Sequence, residues 1–258
     1  MSTGPSHWVR ALRRSQDHSA ALAAGLDGAA VRAPSYDTEW NIAQVYSHLG
    51  SQAEIFGLLL DAGLSGGEAP GPDSFPPIWD AWNARSPEEQ VAHSVVANEA
   101  FVARLESVDD TQWGSFELAA FGMQLDAVRF LRLRLPEHAI HTWDVAVVLD
   151  PSATVAPDAV ELLVDGLLDL VARVGRPRPE PATLRVSTTA PQRSFALVTD
   201  GVALEPWSAR DAAGSLALSS EELLRLVYGR LDPGHARTVR LEAPGITVDD
   251  LRAIFPGV

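Results

Sequence analysis

Glu137 and His141 stand four residues apart in Pro136-Glu137-His138-Ala139-Ile140-His141-Thr142-Trp143-Asp144. In a helix, residues at i and i+4 share a face, with Cβ atoms roughly 5–6 Å apart, so both side chains can hold one small ion. A third donor comes from His48, in Val45-Tyr46-Ser47-His48-Leu49-Gly50. It falls on the apolar side of an earlier helical pattern, where an imidazole without a partner is costly. Two imidazoles and one carboxylate with an open fourth position form a common catalytic zinc set, and the same set also serves non-haem iron. Iron enzymes of that type are mostly double-sheet folds, so a helical setting favours zinc, by analogy. His138 points about 100° away from Glu137 and is not expected to be a ligand. Asp144, one turn after His141, is placed to orient an imidazole from behind. Arg85 and Arg230 each carry a planar guanidinium able to bind a carboxylate in a bidentate way and so to anchor an anionic substrate. Each feature also has a plainer reading: Glu–His pairs at this spacing are often solvated, and single arginines are mostly surface residues.

The elements that must position these groups are helical through the first two thirds of the chain. Apolar residues recur at helical spacing over about 6–26, 42–62, 86–105 and 125–149. Asp37 or Thr38 is read as the cap of the second helix. Ser86-Pro87-Glu88-Glu89 gives the third a strong start, with Ser as cap, Pro at the first position and Glu at the third. Pro136 either kinks the fourth helix or marks a break in it. Between these lie a loop rich in Gly and Pro over 63–77, a short helix over 78–85, and a mixed stretch over 113–121 read as an extended approach. Four long helices suggest an antiparallel bundle, which often places metal sites between facing helices. A further helix is expected over 157–174. The Pro-rich stretch 175–181 then reads as a domain boundary, giving a helical bundle over 1–176 and a second domain over 177–258. There the periodicity turns to alternation at 183–187, 193–198 and 215–219. Short helices at 220–228 and 248–254 and a strand at 239–242 complete a small α+β unit with an antiparallel sheet.

Composition narrows the function. The net charge of −14 argues against nucleic acid or an anionic membrane as partner. No cysteine is present, which removes disulfides, cysteine-ligated zinc and a cysteine nucleophile together. Any thiol chemistry must therefore use a thiol carried by a cosubstrate. Neither a signal peptide nor a transmembrane stretch is apparent, so a cytoplasmic location is expected.

With these residues in view, the chain resembles the mycothiol-dependent maleylpyruvate isomerase family of the DinB-like metalloenzyme superfamily. The resemblance rests on Trp40 with Tyr46-Ser47-His48-Leu49-Gly50, Trp82-Asn83-Ala84-Arg85, Pro136 to Val145, and Glu222-Leu223-Leu224-Arg225-Leu226-Val227-Tyr228-Gly229-Arg230. It implies an α+β two-domain fold: an N-terminal DinB-like four-helix bundle and a smaller C-terminal α+β domain. It also implies zinc held by His48, Glu137 and His141, substrate arginines at Arg85 and Arg230, and mycothiol as cosubstrate. The 63–77 segment departs from the family pattern by its length and lies beside the expected site, which bears on the substrate more than on the metal. Three functions follow as expectations. The first is a zinc- and thiol-dependent isomerase or S-transferase acting on a small anionic electrophile. The others are a thiol-independent zinc Lewis-acid enzyme of a biosynthetic pathway and a non-catalytic metal- or ligand-binding module.

Overall fold

The structure, a computed structural model, describes residues 4–37 and 39–257. It divides into two compact units, Met1–Thr154 and Val155–Val258. The first holds α1 (Pro5–Ala24), α2 (Ile42–Ser65), α3 (Pro76–Asn83), α4 (Pro87–Glu106), α5 (Asp110–Ser115), the strands β1 (Glu117–Ala120) and β2 (Met123–Asp126), and α6 (Ala127–Leu149). The long helices pack in pairs, α1 on α4 and α6, and α2 on α4 and α6.

Helix α2 is apolar on most of its circumference, as a helix enclosed by others must be. Ile42, Val45, Tyr46, Leu49, Phe56, Leu59 and Leu60 are all buried along it. Its cap is Asn41, whose side chain accepts from the Gln44 N–H while the Gln44 side chain accepts from the Asn41 N–H. Asp37 does not serve: the Trp40 N–H donates to the Asp37 carbonyl before the helix starts. Thr38 itself lies outside the described residues. At the other end α2 runs on to Ser65 and stops at Gly66, whose φ of 65° favours a residue without Cβ. Gly63 is therefore helical rather than the start of a loop. A Cβ there would stand 2.3 Å from the Phe116 ring, so this glycine allows close packing. The expected loop shortens to 66–75.

Gly50, two residues after His48, has the same role: a Cβ would lie 2.2 Å from the buried Trp82 ring. It lets α3 approach α2 beside His48, and Ser47 Oγ donates to Asn83 Oδ1 at 2.9 Å across that approach. Helix α4 starts on the expected Ser86 box with Glu89. The stretch read as an extended approach is a short helix followed by the β1–β2 hairpin, which pairs Leu118 with Leu125 and turns through Phe121 and Gly122, both at positive φ. Helix α6 starts on an Asp126 cap and passes through Pro136.

The second unit contains α7 (Pro157–Leu163), α8 (Leu167–Val174), β3 (Thr183–Thr189), β4 (Arg193–Val198), β5 (Ala203–Pro206), β6 (Gly214–Ser219), α9 (Ser220–Val227), β7 (Arg240–Glu242) and α10 (Val248–Ile254). Its sheet order is β5-β4-β3-β6-β7. The sheet is mixed, not antiparallel throughout, because β3 and β6 pair in parallel. After β4 and β5 build one side by hairpin pairing, the chain returns to the free edge of β3 running in the same direction. Alternation within single strands does not encode that return.

The domain boundary expected at 176–177 also differs from the division at 154–155. Helix α8 packs on β5 and α9, and α7 on α9, so both belong with the sheet. The Pro-rich stretch is held within this unit: Arg176 N–H donates to the Ile254 carbonyl and Arg178 N–H to the Thr199 carbonyl. Its composition prevents a helix without freeing the chain from its neighbours. Among the described residues, no helix is long and apolar enough to cross a membrane.

Candidate metal centre

Three donor atoms converge between α2 and α6. His48 Nε2 stands 3.1 Å from Glu137 Oε2, and His141 Nε2 stands 3.9 Å from the same oxygen. One ligand atom from each of the three residues lies within 4.8 Å of the other two. In a tetrahedron with bonds of about 2.0–2.1 Å, ligand atoms stand roughly 3.3 Å apart, so the observed separations bracket a zinc-sized site. The two imidazoles meet edge to face, their centroids 4.7 Å apart. Trp40 covers both, 4.9 Å from the His48 ring and 5.6 Å from the His141 ring.

The electrostatics suit a cation. Burial pulls His48 below its ordinary 6.5, more than the contact with Glu137 raises it, so the neutral, ligating form is favoured. Burial alone would push the Glu137 carboxyl up. The hydrogen bond from His48 and the fields of His141, His48 and Arg134 outweigh it and hold the group at about 2. Glu137 is therefore a carboxylate at any ordinary pH.

His141 is aimed from behind. Its Nδ1 donates to Asp144 Oδ2 at 3.0 Å, which leaves Nε2 for the cluster. Asp144 is fully buried, and its backbone carbonyl accepts from the Tyr36 N–H. Asp37 adds a carboxylate oxygen to this side, within 4.8 Å of the His141 and Asp144 donors. Gln52, one turn beyond His48, donates from Nε2 to Glu137 Oε2 at 3.2 Å, while its buried Oε1 has no hydrogen-bond partner among the described residues. Sequence reasoning passed over Gln52, although its i+4 spacing from His48 was the available signal.

His138 lies outside the cluster, as its helical phase predicts. It is buried, with Nδ1 2.7 Å from Ser15 Oγ and, among the described residues, no partner for Nε2. Burial holds it well below 6.5. This sets a pH dependence for the metal-free protein. The unfolded chain takes up these protons near pH 6.5, whereas the native state refuses them at His138 and resists them at His48. Stability is then fully present above about pH 6.5 and falls as the pH drops below it, by up to about 1.4 kcal/mol per unit for each histidine. Thermal melts of the chelator-treated protein between pH 5 and 8 should show Tm falling on the acid side. A flat profile there would contradict this account.

Of the two arginines singled out, Arg85 sits over the Trp82 ring at 3.7 Å, with Nη2 4.0 Å from Glu54 Oε1. Its buried Nη1 has no hydrogen-bond partner among the described residues. Arg230 belongs to the second unit, where it is buried and donates from Nη1 to the Tyr228 carbonyl at 2.8 Å.

No curated protein matches the chain. The crystal structures that match its fold include that of the mycothiol-dependent maleylpyruvate isomerase and that of a point mutant of it. Each of these two does so with a TM-score of 0.68 at 15% sequence identity, covering 93% of this chain and 95% of the other. At that identity the likeness establishes the architecture, an α+β fold shared over nearly the full length. The model of the mycothiol maleylpyruvate isomerase N-terminal domain matches residues 12–146, more than half of the chain and a span that contains His48, Glu137 and His141. On that match, the chain belongs to the mycothiol maleylpyruvate isomerase N-terminal domain family.

Proposed function

We propose that this protein is a zinc-dependent enzyme that uses mycothiol, a low-molecular-weight thiol, on a small anionic electrophile. The reaction is either cis–trans isomerisation of the maleylpyruvate type or thiol S-transfer. The convergence of His48 Nε2, Glu137 Oε2 and His141 Nε2 carries this reading. In it, the four packed helices are a DinB-like four-helix bundle, the site lies between two of them, and the protein works in the cytoplasm.

The donor set fits zinc, with two imidazoles and one ionised carboxylate at suitable separations and an imidazole held from behind by Asp144. Zinc bound there would supply Lewis acidity that deprotonates a coordinating thiol near neutral pH. The chain has no thiol of its own, so the sulfur must come from a cosubstrate, which agrees with the family. Trp40 covers the two imidazoles, and the substrate carboxylate calls for a guanidinium, for which Arg85 and Arg230 are the candidates the sequence offers. Addition of thiolate to an activated double bond, rotation about the resulting single bond and loss of the thiol then give the isomer with nothing consumed. In S-transfer the thiol is retained.

Metal analysis of the purified protein, followed by turnover of a panel of unsaturated acids with and without added mycothiol, tests the proposal. Stoichiometric zinc and turnover only with thiol are expected. Equal turnover without thiol would replace the reading by Lewis-acid catalysis of a biosynthetic step. Bound metal with no exchangeable fourth ligand would leave a non-catalytic module.

A further inference from the structure

Arg134 lies one turn before Glu137 on α6 and is fully buried, with no exposed surface. A cation in such a place ordinarily faces a carboxylate. Here, among the described residues, its hydrogen bonds are two, both from Nη2: to Asn98 Oδ1 at 2.6 Å and to the Leu49 carbonyl at 3.3 Å. Nε and Nη1 have no partner and are closed to solvent. The faces of Phe56 and Phe101, 5.7 and 5.9 Å from the guanidinium carbon, offset part of the cost. A methionine would fill the same space between these rings without desolvating a charge. Packing alone therefore does not account for an arginine here.

Its position does. The carbonyl it binds belongs to Leu49, the residue after His48, and its own helical turn runs directly into Glu137. Asn98 Nδ2 donates to the same Leu49 carbonyl, so α2, α4 and α6 meet at this point behind the ligands. Glu137 and Arg134 are also the charges that act on each other here, each favouring the other's ionised form.

We propose that Arg134 is a positioning residue of the metal centre, a fixed positive charge set behind the ligands that strengthens the hold of the site on an anionic ligand such as a thiolate or carboxylate. The inference rests on the metal-site reading of the preceding section and goes beyond it. Two imidazoles and one carboxylate around a divalent cation leave a net charge of +1. Arg134 raises the local charge to +2 in a medium where a buried cation is poorly screened. The centre gives up some cation affinity and gains anion affinity.

The test uses the cobalt(II)-loaded protein, with azide as the anionic probe and the visible absorption of the metal as readout. Arg134→Gln keeps a donor for Asn98 and Leu49 without the charge, and Arg134→Lys keeps the charge without the planar fork. The azide dissociation constant is expected to rise about tenfold in the Gln variant. It is expected to return to within about threefold of wild type in the Lys variant, while cobalt affinity in the Gln variant is not weakened. If Arg134→Gln fails to fold, Arg134→Met supplies the neutral variant. Equal azide affinity in wild type and the neutral variant overturns the proposal. So does a Lys variant as weak as the neutral one, which would assign Arg134 to packing. A wild type that takes cobalt but no azide overturns it too, whereas a wild type that takes no cobalt sinks the metal reading itself.

Discussion

His48→Ala is expected to yield folded protein that retains no zinc and gives no measurable turnover. Removing one of three ligands leaves Glu137 and His141 on a single turn of α6, a two-point grip that an exchangeable aqueous ion escapes readily. Alanine is a strong helix former, and His48 is only partly buried, so α2 should persist with a helical circular dichroism spectrum like that of wild type. Several kcal/mol of transition-state stabilisation disappear with the metal, roughly a thousandfold or more in kcat/KM. Glu137→Gln should follow the same course for a different reason: the amide keeps the shape but presents no charge to the cation. The exposed His93, on α4, provides the control, and His93→Ala should keep both metal and activity. Full turnover by metal-free His48→Ala would refute the zinc scheme.

These candidate ligands were legible in the sequence because their signal is local. Glu137 and His141 need only helical spacing to share a face, and His48 stood out as an imidazole on an apolar stripe. The cap at Ser86 is local in the same sense, since its side chain bonds the backbone three residues on. What the sequence did not disclose depends on partners far along the chain. Arg134 reads as one more basic residue until α4 supplies Asn98 and α2 supplies the Leu49 carbonyl. Gly63 reads as the start of a loop and Gly50 as one more position in the helix, yet at each the missing Cβ lets an aromatic ring from another element lie against α2. Asn41 displaced Asp37 as cap because the Trp40 to Asp37 hydrogen bond turns the chain first. The parallel pairing of β3 with β6 is likewise a tertiary choice between strands each legible alone, and so is the union with the sheet of α7 and α8, two helices where the sequence predicts one over 157–174.

Asp144→Asn is expected to weaken zinc binding by about 10- to 100-fold without removing a ligand. Asp144 is fully buried, and Oδ2 accepts from His141 Nδ1 at 3.0 Å, a contact that fixes the ring and keeps the proton away from Nε2. Asparagine fills the same volume but offers two faces. With its oxygen toward Nδ1 the hydrogen bond survives in weakened, uncharged form. With its NH2 toward Nδ1 the imidazole must accept, so its proton moves to Nε2 and the ring cannot ligate. Both outcomes lower affinity, the second more severely. Competition against a zinc-chelating dye measures the loss, and His141→Ala with and without Asp144→Asn identifies its route. If Asp144 acts through the imidazole, the second substitution should add little once His141 is gone, a departure from additivity expected of residues that share one function. Independent, additive losses would mean that Asp144 reaches the metal by another path, with Asp37, the neighbouring carboxylate, as the next residue to vary.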